Sequence, residues 1–246
     1  MLGLILHLIL PDFGMNSGNI MNCLGYMGND PDIASKTLKK YHKLLWSRRL
    51  PNGQFMNLKT GYGANYLTWN GFRFGSDSIL LTMRYNKNEK LLREVQKHLP
   101  NYKHFIESTL REFYTIGGMI IFPKHKNSIN QIKGCNHLIS DRWDLTMECI
   151  RRYYSGEESP LNWVLRNDRD FFDLFVNFKG YVDYFYLNDC VSEDYSKVQS
   201  WLGNLNFSSS PLPQTPEEYL FFIDCQLNFL RKRNERIKYN FRIEGI

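Results

Sequence analysis

The chain has 246 residues, 43% hydrophobic and 15% aromatic, enough to build a sizeable core, which argues against disorder and leaves one large domain or one domain with a C-terminal helical appendage. A formal net charge of +6 and a pI near 9.0 suit a polyanionic partner without requiring one. The five cysteines (Cys23, Cys135, Cys149, Cys190 and Cys225) are odd in number and lack a C-x-x-C pair, which argues against a disulfide framework or a thiolate zinc site and fits a reducing cytoplasm.

Residues 1–10 are apolar, but they amount to about half of the roughly 20 residues a membrane span needs, lack a basic flank and stop at Pro11. Residues 1–28 are therefore read as an N-terminal extension, neither anchor nor signal peptide, with Met15 and Met21 available as alternative starts. A main domain is expected over residues 29–207. Asn29 to Asp32 forms a helix-start signal, and Ala34, Leu38, Tyr41 and Leu45 give an amphipathic helix over 33–48 that Leu50-Pro-Asn-Gly53 ends. Asn70-Gly71, between Tyr66–Trp69 and Phe72–Phe74, predicts a hairpin with a type I′ turn.

Helices are predicted over 88–99 and 103–114, split by Pro100. Gly117-Gly118 breaks the second, and Met119–Phe122 reads as a short buried strand closed by Pro123. Residues 124–138 hold three lysines, two histidines, three asparagines and a glutamine, more hydrogen-bonding groups than a plain connection uses. A helix is expected from Ser140 or Asp141 to Ser155-Gly156, with Trp143, Met147, Ile150 and Tyr154 on one stripe. Opposite them Asp141, Asp144, Glu148, Arg151 and Arg152 read as a solvated, salt-bridged face. Residues 160–178 look helical, with Trp163, Phe171, Phe172, Leu174, Phe175 and Phe178 supplying core, while 181–187 carries no clear pattern. Residues 208–215 read as a linker. Thr215-Pro-Glu-Glu218 is a capping box opening a basic C-terminal helix, residues 216–246, packed on the main domain. The fold class expected is α+β, mostly helical, with a small antiparallel sheet or hairpin.

Two segments carry candidate chemistry. Residues 33–76 contain eight lysines and arginines and no aspartate or glutamate. Of these, Lys36, Lys39, Lys40, Lys43, Arg48 and Arg49, joined by Arg231, Lys232 and Arg233 of the last helix, are the candidate nucleic-acid contacts, with RNA favoured over DNA. Tyr41, Trp46, Tyr62, Tyr66, Trp69 and Phe74 are interleaved and offer stacking surfaces, although core packing accounts for them equally well. The second segment is the loop and helix start at 124–142. There His125, His137, Asp141 and Arg142 are candidate catalytic groups, and Lys124, Asn127, Asn130 and Gln131 candidate substrate contacts. His125, Cys135, His137 and Asp141 lack a recognised zinc spacing, so no metal or cofactor is assigned. Walker-type, G-x-G-x-x-G, G-x-S-x-G and H-E-x-x-H motifs are absent from the sequence.

Residues 39–47 (KKYHKLLWS), 50–53 (LPNG), 76–79 (SDSI), 115–123 (TIGGMIIFP), 128–131 (SINQ) and 141–152 (DRWDLTMECIRR) resemble, in this order over 29–190, a family of uncharacterised bacterial proteins catalogued as a domain of unknown function. That resemblance implies no activity. In size, basicity and content of lysine, asparagine and aromatic residues, the chain is also similar to abortive-infection proteins of phage resistance. The resulting expectation is a nucleic-acid-binding protein of bacterial defence with nuclease activity at 124–142. The alternatives are an enzyme for a small anionic substrate in that loop, or a non-catalytic interaction partner.

Overall fold

A computed structural model describes residues 36–61, 66–80, 89–113, 115–129, 138–208 and 212–243. The apolar start, His137, Asn130 and Gln131 lie outside these residues. Four antiparallel strands, β1 (Lys59–Thr60), β2 (Leu67–Trp69), β3 (Phe72–Ser78) and β4 (Met119–Pro123), form one sheet in sequence order. Around it are eight helices among the described residues: α1 (Lys36–Trp46), α2 (Glu89–His98), α3 (Tyr102–Phe113), α4 (Trp143–Ser155), α5 (Asn162–Asn167), α6 (Arg169–Phe172), α7 (Phe178–Tyr184) and α8 (Pro216–Ile243). The fold is the expected α+β class, and no described helix is long and apolar enough to cross a membrane.

The predicted hairpin is present. Asn70 (φ 46°) and Gly71 (φ 82°) both take the left-handed conformation that a type I′ turn demands. Every residue of β4 is buried, as expected of a strand covered on both faces. At Gly117-Gly118 the chain makes a 3₁₀ turn before β4, and α8 packs on that turn. A Cβ on Gly118 would lie 2.0 Å from the Phe113 carbonyl oxygen, so only glycine permits this path.

One hydrophobic cluster runs from Leu38 on α1 to Phe241 on α8, so the last helix shares the core of the rest of the fold. Its start follows the sequence signal: the Glu218 backbone N–H donates to Thr215 Oγ1 at 3.2 Å, and the Glu218 carboxylate accepts from the Gln214 N–H at 2.8 Å. In the expected linker, Pro213 is buried.

The structure corrects several expectations. Residues 160–178 are not continuous helix: α5 and α6 are separated at Asp168, and α7 begins after a 3₁₀ turn over 173–175. Asn167 and Asp168 compete for backbone hydrogen bonds and suit such a break. Trp163 is 45% exposed and supplies little core, whereas the unassigned stretch around Tyr181 and Phe185 lies at its centre. The charged stripe of α4 is not a solvated face, because Asp144 is fully buried and Glu148 nearly so. Burial alone would raise the Glu148 pKa, but hydrogen bonds from Arg151 and Arg152, each 2.8 Å at closest, reverse the shift and hold it below the usual carboxylate range.

Candidate functional site

Most of the proposed cationic surface is consumed by the fold. Lys39 is buried, and the side chain of Lys36 is not described. Arg48 bonds the Tyr186 hydroxyl and the Tyr184 carbonyl, and its guanidinium lies 4.4 and 4.6 Å from those two ring centres. Arg49 donates to the Gly53 carbonyl at 3.0 Å, closing its own turn. Lys40 is exposed and Lys43 half-buried.

On α8, Arg231 grips Glu112 through two bonds of 2.7 and 2.8 Å, and only Lys232 of the three candidates there is simply exposed. Arg233 is fully buried and donates to the carbonyls of Phe185, Gly117 and Met119. Desolvation lowers its pKa to about 10, so it stays a cation near neutral pH. Among the aromatics, Tyr41, Trp46 and Phe74 are core, while Tyr66 and Trp69 are partly exposed.

The expected catalytic set also divides. Arg142 is 1% exposed, pairs with Asp144 at 2.5 Å and donates to the Leu202 carbonyl at 2.7 Å, and Asp144 accepts from the Trp201 N–H at 2.8 Å. Those bonds fasten the start of α4 to the 201–202 segment and leave the guanidinium buried away from any substrate. Asp141 is half-buried beside it. Among the described residues, no group of three or more His, Cys, Asp or Glu side chains is arranged to hold a metal ion.

His125 is different. It is 44% exposed at the first turn after β4, and its Nε2 lies 2.6 Å from Oδ1 of Asp168, whose carboxylate is 2% exposed at the α5–α6 break. The other carboxylate oxygen accepts from the Ile129 N–H at 3.3 Å. Burial raises the Asp168 pKa, and the bond from His125 opposes that rise. A proton on Nε2 makes the bond with Asp168, and in the neutral ring the lone pair then sits on Nδ1. Its only described neighbour is the Asn127 N–H at 3.4 Å, too long for a strong bond.

The dyad opens onto a cleft of about 410 Å³, lined by Phe72 and Arg73 of the hairpin, Lys124, Asn167, Asp170 and Phe171 among others. Arg73 thus meets Lys124 and His125 although it lies more than 50 residues before them in sequence. The Lys124 N–H donates to the Arg73 carbonyl at 2.8 Å, which fixes the approach. A second cleft, of about 450 Å³, shares Gly71, Phe72 and Arg73 with the first and adds Asn57, Lys59, Thr68, Trp69 and Asn70. Lys126 and Asn127 are exposed on the same turn as His125.

Sequence reasoning found His125 and Lys124 but missed Asp168, 43 residues away and marked only as one acid in N-D-R-D. It counted Arg73 among the cations without placing it at the site. The chain belongs to a family of unknown function (DUF6994), whose model matches residues 19–237, reaching further in both directions than the 29–190 resemblance and taking in most of α8. No curated protein and no solved structure matches it.

Proposed function

We propose that this member of the DUF6994 family binds a nucleic-acid strand, RNA in preference to DNA, and acts on a phosphodiester with His125 and Asp168 as an acid–base pair. The observation that carries the reading is the 2.6 Å contact between His125 and Asp168 in a cleft that also holds Arg73 and Lys124. A buried carboxylate that fixes an exposed imidazole is the usual way to orient a general base.

The step that uses these groups requires a 2′-hydroxyl. Nδ1 of His125 takes the hydroxyl proton, the 2′-oxygen bonds to phosphorus, and the bond from phosphorus to the 5′-oxygen breaks. The departing oxygen takes a proton from the imidazolium or from water, leaving a 2′,3′-cyclic phosphate and a 5′-hydroxyl. Arg73 and Lys124 balance the charge that gathers on the non-bridging oxygens. A bacterial, cytoplasmic role in phage defence belongs to the same proposal.

The test is a gel of end-labelled RNA and of DNA of the same sequence after incubation with the purified protein. RNA alone is expected to be cleaved, with cyclic-phosphate ends, and His125→Ala is expected to reduce the rate by about 10²–10⁴-fold. Intact RNA, or full activity in the His125→Ala variant, overturns the proposal. The defence role predicts that plaquing on cells expressing the wild type falls below that on cells expressing His125→Ala.

The size of the cleft favours one second reading, since about 410 Å³ lies in the range that takes a small molecule. Turnover of a mononucleotide as fast as of an oligomer would select it.

A further inference from the structure

Strand register produces a pattern that the sequence hides. Lys59 on β1 stands opposite Thr68 on β2, and Thr68 opposite Arg73 on β3. One step beyond the Phe74–Pro123 pair, Lys124 bonds the backbone of Arg73 and continues the row. Directly opposed residues point to the same face of a sheet, so Lys59, Thr68, Arg73 and Lys124 cross all four strands in one line, spanning roughly 14 Å at about 4.8 Å per strand.

Lys59 and Arg73 are exposed, and Thr68 and Lys124 are half-buried. The ring of Tyr66 lies 5.2 Å from the Arg73 guanidinium and supports it. Trp69 and Phe72, the pair that flanks the hairpin turn, point to the opposite face, where they pack at the rim of the core with rings stacked at 6.2 Å and an interplanar angle of 9°. Both clefts open on this tip, and Arg73 belongs to both.

We propose that the β1–β4 row is a track for one unpaired nucleic-acid strand. Lys59, Arg73 and Lys124 take phosphates of the strand, the partly exposed ring of Tyr66 beside Arg73 takes a nucleobase, and the strand enters at β1 and leads along the row onto His125. This rests on the acid–base reading for the identity of the far end, and extends it by naming where the strand enters. Charge complementarity selects the occupant: three cations in line match a backbone with one charge per nucleotide, and the partly exposed ring of Tyr66 beside Arg73 suits a polyanion that carries unpaired bases.

The test is fluorescence anisotropy of a labelled nine-residue oligouridine over a salt series, beside an abasic oligomer of equal length and a polyglutamate peptide. Three phosphate contacts predict a slope of about −2 in log affinity against log salt. Lys59→Gln is expected to flatten it by about 0.7 and Lys59→Arg to restore it. Tyr66→Ala is expected to weaken oligouridine about tenfold while leaving the abasic strand unchanged. Tyr66→Phe, which keeps the ring and is expected to bind as the wild type, separates loss of stacking from loss of the hairpin.

Oligouridine affinity unmoved by Lys59→Gln, or equal binding of polyglutamate and oligouridine, overturns the track, the latter making this face a docking site for an acidic protein. The two readings fail separately. Cleavage of a dinucleoside monophosphate such as UpU that depends on His125, with no effect of Lys59→Gln on oligouridine, removes only the track. Salt-dependent oligouridine binding that needs Lys59, with no cleavage, removes only the acid–base step.

Discussion

In the C-terminal helix, the guanidinium of Arg233 is fully buried and bonded to three backbone carbonyls, and Arg231 and Arg236 hold Glu112 and Asp189. At the hairpin, Arg73 and Lys59 stand exposed beside open clefts, and neither has a carboxylate partner among the described residues. The two regions carry the same residue types and the same sequence signal for a polyanion. What separates them is the supply of acceptors. A cation leaves water only where carbonyls or carboxylates replace its hydration, and α8 meets such groups at the 3₁₀ turn, at the end of α7 and on α3. At the sheet end Asp170 lines the same cleft as Arg73 but makes no ion pair with it among the described residues, so Arg73 and Lys59 remain available to a ligand.

The sharpest way to break this comparison is to remove the buried cation. Arg233→Ala strands three carbonyls and a cavity, and a loss of about 3–5 kcal/mol is expected in denaturant unfolding, with no rescue by lysine, whose single ammonium cannot reach all three. An unfolding midpoint close to the wild type would make Arg233 no more structural than Arg73.

His42 sharpens the contrast through pH. It is buried; Trp46 Nε1–H donates to its Nδ1 at 3.0 Å, and Nε2 lies 2.8 Å from Ser76 Oγ, so the ring is held neutral with its proton on Nε2. Burial first, and the Arg233 charge second, lower its pKa to about 3. A folded-state pKa below the unfolded one gives stability that is present above about pH 6.5 and is lost as pH falls toward 3, at up to about 1.4 kcal/mol per unit. Equilibrium unfolding between pH 7 and pH 4 should show that loss, and His42→Gln should flatten it.

A smaller effect is expected at the turn that receives α8. Gly118→Ala places its Cβ against backbone rather than a movable side chain, and should cost about 2–3 kcal/mol in thermal or denaturant unfolding. At the small end stand the exposed cations. Arg231→Ala breaks an ion pair that water screens, and should cost at most about 1 kcal/mol. Lys59→Gln should leave stability within about 0.5 kcal/mol while it weakens oligonucleotide binding.

Much of the fold was legible because it rests on local signals. Asn70-Gly71 specifies its turn through backbone sterics, Thr215 to Glu218 caps a helix within one turn, and Met119–Pro123 is too apolar to lie anywhere but inside. The α4 stripe was misread because Asp144 and Glu148 satisfy their charges with Arg142, Arg151 and Arg152, which permits burial that residue type alone argues against. The 160–178 segment was misread because an aromatic-rich run packs as several short turns as readily as in one helix. At the site, the polar turn after β4 announced His125. Nothing local could announce Asp168, since its role depends on where the α5–α6 break lands.

The sequence by itself determined the α+β class, the hairpin, the buried strand, the capped last helix and the presence of a polar loop at its exit, because each follows from contacts within a few residues. Only the tertiary structure decided which cations are structural and which line a cleft, which carboxylate holds His125, and that Lys59, Arg73 and Lys124 fall in one row. Most of those are relations between residues more than 40 positions apart, such as His125 and Asp168 or Lys59 and Lys124. Strand register and packing set them, and composition carries no record of either.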